Sequence, residues 1–187
     1  MKLENLLDFE WYNEPANVIF ATHEMKIVAK SGTDFWCAVH HKVKKDNAHF
    51  FYKKFEKDFK LTVKWRFEKA EKFNQCGLMV RIDERNWFKT ALMSKDATSP
   101  EIGTCLTVEG HSDWAGTVIS QMPTEIFYKI ERRGDDFVAS YSLDGHKFVR
   151  LRQFYLKGIE PQIKAGAYIA APQNQTFEAI LDEVTVG

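Results

Sequence analysis

Residue types that can do chemistry gather in two short stretches. In the first, Leu78, Val80 and Ile82 alternate with Met79, Arg81 and Asp83, and Phe88, Thr90 and Leu92 alternate with Trp87, Lys89 and Ala91. A polar turn, Glu84-Arg85-Asn86, separates the runs, so they read as a hairpin with one face in a core. The other face then carries Met79, Arg81, Asp83, Trp87, Lys89, Ala91 and Met93. Arginine offers a two-pronged donor and tryptophan a flat apolar face, a combination that suits a sugar or a sugar acid. A solvated sheet face with cross-strand charge pairs has the same composition.

The second stretch, Glu109-Gly110-His111-Ser112-Asp113-Trp114, follows an apolar run from Leu106 to Val108. Histidine titrates near neutrality, so His111 with Asp113 or Glu109 is a candidate acid–base set for a cryptic hydrolase. The alternative is a turn in which Ser112 and Asp113 satisfy backbone N–H groups and Trp114 anchors the loop. Trp36, after Thr33-Asp34, carries the same two readings.

Other chemistries find less support. A retaining glycosidase needs two carboxyls about 5–5.5 Å apart, which on one strand face means i, i+2 spacing. Asp8 with Glu10 and Glu56 with Asp58 have that spacing but lie away from a clear mid-sheet strand, and the E-x-D-x-x-E pattern of jelly-roll glucanases is absent. His23, His40, His41, His49, His111 and His146 form neither HxH nor HExxH, and His40-His41 sits among Lys42, Lys44 and Lys45, as in a solvated basic loop. There is no glycine-rich phosphate loop. No metal and no cofactor is expected.

The elements that position these residues are almost all strands. Phe59, Leu61, Val63, Trp65 and Phe67 alternate with Lys60, Thr62, Lys64 and Arg66, the pattern of a strand with one wet face. Ile126–Arg132 and Phe137–Leu143 flank a turn at Arg133-Gly134-Asp135-Asp136, and Asp144-Gly145 predicts a type I′ turn into Lys147–Leu151. Ala165–Ala170 and Thr176–Val186 close the chain around Pro172-Gln173-Asn174. A short helix is expected only near Lys2–Leu7. Turn signals every 8–12 residues and roughly a dozen strands imply two packed antiparallel sheets, a large jelly roll, with residues 1–187 as one domain.

Composition sets outer bounds. The 187 residues are 44% hydrophobic and 14% aromatic, enough for a sizeable core and too apolar for a disordered chain. Lys+Arg and Asp+Glu are both 26, so the chain lacks the charge expected of a nucleic-acid or anionic-membrane binder. No run of about 18 apolar residues predicts a membrane helix, and Met1–Glu10 does not read as a signal peptide. Cys37, Cys76 and Cys105 are an odd set without CxxC, which reads as buried thiols in a reducing cytoplasm.

The run Gln75-Cys76-Gly77-Leu78-Met79-Val80-Arg81-Ile82-Asp83-Glu84-Arg85-Asn86-Trp87-Phe88-Lys89 resembles the Q-x-G-L-x-V-R-x-D-E-x-N-W-x-K segment of a family of unknown function. That family is named after a protein reported as a regulator of enolase and belongs to the concanavalin A-like lectin/glucanase superfamily. Trp11-Tyr12-Asn13-Glu14-Pro15, Thr33-Asp34-Phe35-Trp36, Asp58-Phe59, Ser112-Asp113-Trp114, Arg132-Arg133, Tyr141-Ser142-Leu143-Asp144-Gly145 and Ala171-Pro172 match in the same order. The resemblance implies a curved jelly-roll sandwich, a cytoplasmic protein and no established activity. Members follow W-x-K with a small residue, Gly and a Glu; here Thr90-Ala91-Leu92-Met93 has no carboxylate.

The expectation is a non-catalytic binding module. Its groove is lined by Arg81, Trp87, Lys89, Glu109, His111, Asp113 and Trp114, with a carbohydrate or small polar metabolite as ligand. The family name implies a second reading, a regulatory contact with a metabolic enzyme such as enolase. No nucleic-acid or membrane partner is expected, and the sequence leaves the oligomeric state open.

Overall fold

A computed structural model of the chain describes residues 6–37, 42–95, 99–158 and 162–187. The predicted helix near Lys2–Leu7 falls largely outside them, as do His40 and His41.

Sixteen strands are present among the described residues: β1 (Glu10–Tyr12), β2 (Asn17–Phe20), β3 (Met25–Ala29), β4 (Phe35–Cys37), β5 (Lys44–Asp46), β6 (His49–Phe55), β7 (Phe59–Arg66), β8 (Gln75–Arg81), β9 (Trp87–Ser94), β10 (Pro100–Val108), β11 (His111–Val118), β12 (Glu125–Arg133), β13 (Asp136–Ser142), β14 (Val149–Tyr155), β15 (Ile163–Ala170) and β16 (Phe177–Val186). Fourteen of them form two seven-stranded sheets of antiparallel pairs. The first runs β1-β6-β15-β8-β9-β10-β11 and the second β14-β13-β12-β7-β16-β3-β2. The expected concanavalin A-like jelly-roll sandwich is therefore the observed fold.

Alternation places the core. Leu61, Val63 and Trp65 of β7 are fully buried and meet Leu78, Val80 and Phe88 from the opposite sheet. The Trp65 indole donates to the Gly77 carbonyl across the gap at 2.9 Å. Phe88, Phe154 and Phe137 stack in a row, with centroids 3.9 and 5.1 Å apart. Burying each such ring stabilises the sandwich by roughly 1.5–3 kcal/mol.

The sequence pattern is misleading in two places. The Asp144-Gly145 pair does not make a type I′ turn, because Gly145 has a positive φ (74°) and Asp144 does not. A longer loop joins β13 to β14, pinned by the Asp144 carboxylate, which accepts from the His146 and Lys147 amides at 2.8 and 2.9 Å. These bonds lower its pKa to about 2. The second departure concerns the stretch read as a solvated basic loop. Lys44 and Lys45 lie in β5, which pairs with β4 in a separate two-stranded hairpin. That hairpin lies on the outer face of the first sheet and makes a third layer over part of it, so β8 and β9 are buried along their whole length.

Candidate functional site

The side chains expected to project outward from the β8–β9 hairpin do share one face. The register pairs Arg81 with Trp87, Met79 with Lys89, and Trp87 and Lys89 with Thr107 and Cys105 of β10. They are not exposed. Arg81, Trp87 and Lys89 are 3%, 0% and 1% exposed, in a second buried cluster that includes Phe35, Phe50, Tyr52, Cys105 and Tyr168. The β4–β5 hairpin covers them, and carboxylates on or beside it meet the two cations.

Each cation is matched by a carboxylate on or beside the hairpin. Arg81 grips Asp46 with both prongs, at 2.7 and 2.9 Å, and lies 4.5 Å from the Tyr12 ring centroid. Tyr12 donates to the same carboxylate at 2.6 Å. The Lys89 ammonium donates to Asp34 Oδ1 (2.9 Å), the Phe35 carbonyl (2.7 Å) and Gln75 Oε1 (3.0 Å). An ammonium has three donors, so Lys89 has none left for a ligand. The Phe35 ring is wedged between Tyr12, Trp87 and Tyr168. The Trp87 indole N–H is buried there without a partner.

Beside this roofed half the same face stays open. A cleft of about 510 Å³ is lined by Trp36, Val43 and Lys45 from the hairpin side and by Gln75, Lys89, Met93, Lys95 and Trp114 from the sheet, with Asp34, Phe73, Pro172 and Gln173 completing it. Trp36 and Lys45 are directly paired across the hairpin, on the face turned away from Phe35 and Asp46. Both Trp36 and Trp114 are half-buried. Phe73 sits at φ +62°, a conformation that a bulky residue adopts only under strain and that gathers at ligand sites.

Of the seven expected groove residues, Lys89 and Trp114 reach this cleft. The structure does not bring Glu109, His111 and Asp113 to it. Successive residues of a strand face opposite ways, so Trp114 shares a face with Cys105, whereas His111 and Asp113 oppose Val108 and Leu106 on the other face. Asp113 there pairs with Arg152 of β14 at 3.2 Å, and Glu109 occupies the turn with φ +52°. The carboxylates at i, i+2 spacing also have other partners. Asp8 and Glu10 pair with Lys53 and Lys54, Glu56 accepts from Gln162, and Asp58 accepts from the Gly134 amide.

Glu101 carried no sequence signal, yet it borders the cleft. It is nearly buried, opposite Met93 on β9 and Val118 on β11. It accepts from the Trp114 indole N–H at 2.6 Å and from Lys95 at 2.9 Å. Burial pushes the Glu101 carboxyl up, but those two donors outweigh it and hold the group below the ordinary carboxylate value. Met93, in the stretch that lacks a carboxylate, lies directly opposite Glu101. A pairing register, invisible in one sequence, makes them neighbours. Among the described residues no cluster of His, Cys, Asp and Glu is suited to hold a metal.

The family described as "Protein of unknown function (DUF1349)" matches residues 11–187. The chain belongs to this family. A curated relative, "Regulation of enolase protein 1" of Saccharomyces cerevisiae, is 28% identical over 108 residues, 58% of this chain and 54% of the relative, so the match spans about half of that protein. A solved Saccharomyces cerevisiae protein described as functionally unknown superposes with TM-score 0.89 at 20% identity, covering 97% of each chain. The GH43 BlXynB protein of Bacillus licheniformis gives TM-score 0.74 at 14% identity, covering 96% of this chain and 36% of that one. The exoplasmic/lumenal domain of VIP36, in its Ca2+/Man3GlcNAc-bound form, gives 0.59 at 7% identity, covering 96% and 83%. At these identities the structural likenesses establish a shared sandwich fold for this DUF1349 chain.

Proposed function

We propose that the protein is a non-catalytic binding module that takes a carbohydrate or a small polar metabolite in the open cleft. The observation that carries this reading is the pair of half-buried indoles, Trp36 and Trp114, facing one cleft of about 510 Å³ together with Lys45 and Lys95. Indole faces collect the C–H surfaces of a ligand ring, and ammonium groups collect its oxygens. The VIP36 domain's bound saccharide and the GH43 neighbours support a sugar as the ligand. Hydrolysis is the less favoured alternative, because Asp113 and His111 face away from the cleft and Asp113 is engaged with Arg152. A cytoplasmic setting agrees with three buried free thiols.

A thermal-shift and calorimetric screen of xylo-, manno- and arabino-oligosaccharides tests the proposal. A saturable shift that weakens in Trp114→Ala supports it. No shift with any saccharide or small polar metabolite sinks it.

The name of the yeast relative favours one further reading, regulatory contact with a metabolic enzyme such as enolase. Purified enolase retained stoichiometrically on the immobilised protein supports that contact, and enolase passing through unretained removes it.

A further inference from the structure

We infer that Trp114 is a pre-set stacking platform, that Glu101 is the residue that positions it, and that the ring it accepts carries a carboxylate; this rests on the saccharide reading above. The indole lies on a bed made for it. A methyl group added at Gly103 would sit 2.4 Å from the Trp114 ring, and one at Gly116 would sit 1.9 Å from Glu101 Oε1. The ring therefore lies across the β10 backbone and the carboxylate across β11. Both glycines share the outer face with Trp114, because Gly103 pairs with Gly116 and Cys105 with Trp114.

Two bonds lock this arrangement. Glu101 Oε1 takes the indole N–H, and Oε2 is held by Lys95. An ionised carboxylate only accepts, so the indole has no donor left for a ligand and offers it a ring face. A ring face without its N–H selects for C–H surface, as on one side of a pyranose. The polar side of the ligand meets the ammoniums that retain donors. Lys89 is saturated by its three partners. Lys45 donates to the Gly32 carbonyl and has no carboxylate partner among the described residues. It is the lining cation left unneutralised, which favours a uronic acid over a neutral sugar.

The test uses the full chain labelled with 5-fluorotryptophan. There are five tryptophans, and Trp114→Phe assigns the relevant 19F resonance. With trigalacturonate as the acidic probe and xylotetraose as the neutral one, the Trp114 resonance should respond most. Trp114→Ala and Glu101→Leu should each weaken trigalacturonate binding by about tenfold. Glu101→Gln, which keeps an oxygen for the indole N–H, should restore most of the affinity. Lys45→Met should abolish the preference for the acidic probe. Already without ligand, Glu101→Leu and Gly116→Ala should move or broaden the Trp114 resonance while the buried Trp65 and Trp87 signals stay in place, which verifies folding.

An unchanged Trp114 resonance in both Glu101→Leu and Gly116→Ala overturns the positioning role, whatever binds. Equal affinity for the two probes overturns the uronate assignment. If neither probe moves any resonance, the saccharide reading itself fails, and the ligand-free spectra still decide the role of Glu101.

Discussion

One sheet face carries two regions of nearly the same composition and opposite fate. In the roofed half, Arg81, Lys89, Trp87 and Tyr168 lie under the β4–β5 hairpin, and Asp46, Asp34 and Phe35 occupy the positions a ligand would take. In the open half, Trp36, Trp114, Lys45 and Lys95 face an open cleft. Cations and aromatic rings serve both. The difference is whether the chain itself supplies the partner. Where it does, the groups hold the third layer in place. Where it does not, their remaining capacity is available to another molecule.

Mutation should separate the halves sharply. The largest effect is expected from Phe35→Ala, which removes a fully buried ring from the roof and should cost about 3–5 kcal/mol in urea unfolding. A loss near zero would mean that the hairpin is not packed as described. Lys89→Met comes next. It leaves the largely buried Asp34 carboxylate without its cation, and the cost should be about 3 kcal/mol. Lys45→Met in the open half should stay within about 0.5 kcal/mol. Equal losses for the two lysines would erase the distinction between the halves.

Acid should loosen the roofed half first. His49 accepts the Lys30 amide at Nε2 and contacts the Asn13 carbonyl through Nδ1, and Asn13 in turn holds the Asp46 and Ala48 carbonyls at the hairpin base. Burial lowers the His49 pKa below its ordinary 6.5. The unfolded chain therefore takes up a proton near pH 6.5 that the folded chain refuses, and stability falls as pH drops below that value. Carboxylates with lowered values, such as Glu101 and Asp144, contribute stability that is lost only at lower pH, below 4.5 and 3.8 respectively. Unfolding midpoints across pH 5–7 should fall toward acid in the native protein and flatten in His49→Gln. An identical slope in both would show that His49 carries none of it. Trp114→Ala should cost at most about 1 kcal/mol of stability, because its ring is half-exposed on an edge strand. Its ligand binding should weaken by about tenfold all the same.

Much of the fold was legible because a strand reports its own burial. The nine-residue alternation from Phe59 to Phe67 names the core side of β7 outright, and Leu61, Val63 and Trp65 are fully buried. The Leu78–Met93 hairpin was legible in the same way, down to the face shared by Arg81, Trp87 and Lys89. What lay above that face was not. Phe35-Trp36-Cys37 and Lys44-Lys45-Asp46 are three residues each, too short to show a period. The stretch from Glu109 to Trp114 looked like one cluster because its members adjoin along the chain, and the pleat divides them between two faces.

From the sequence alone came the strand periods, the family and the faces on which charged and aromatic side chains emerge, since alternation is a local property of extended backbone. Only the tertiary structure decided which of those faces meets solvent. That depends on long-range contacts, Asp46 with Arg81 and Glu101 with Trp114 among them. Such pairs are brought together by sheet register and by a third layer, and no local pattern encodes either.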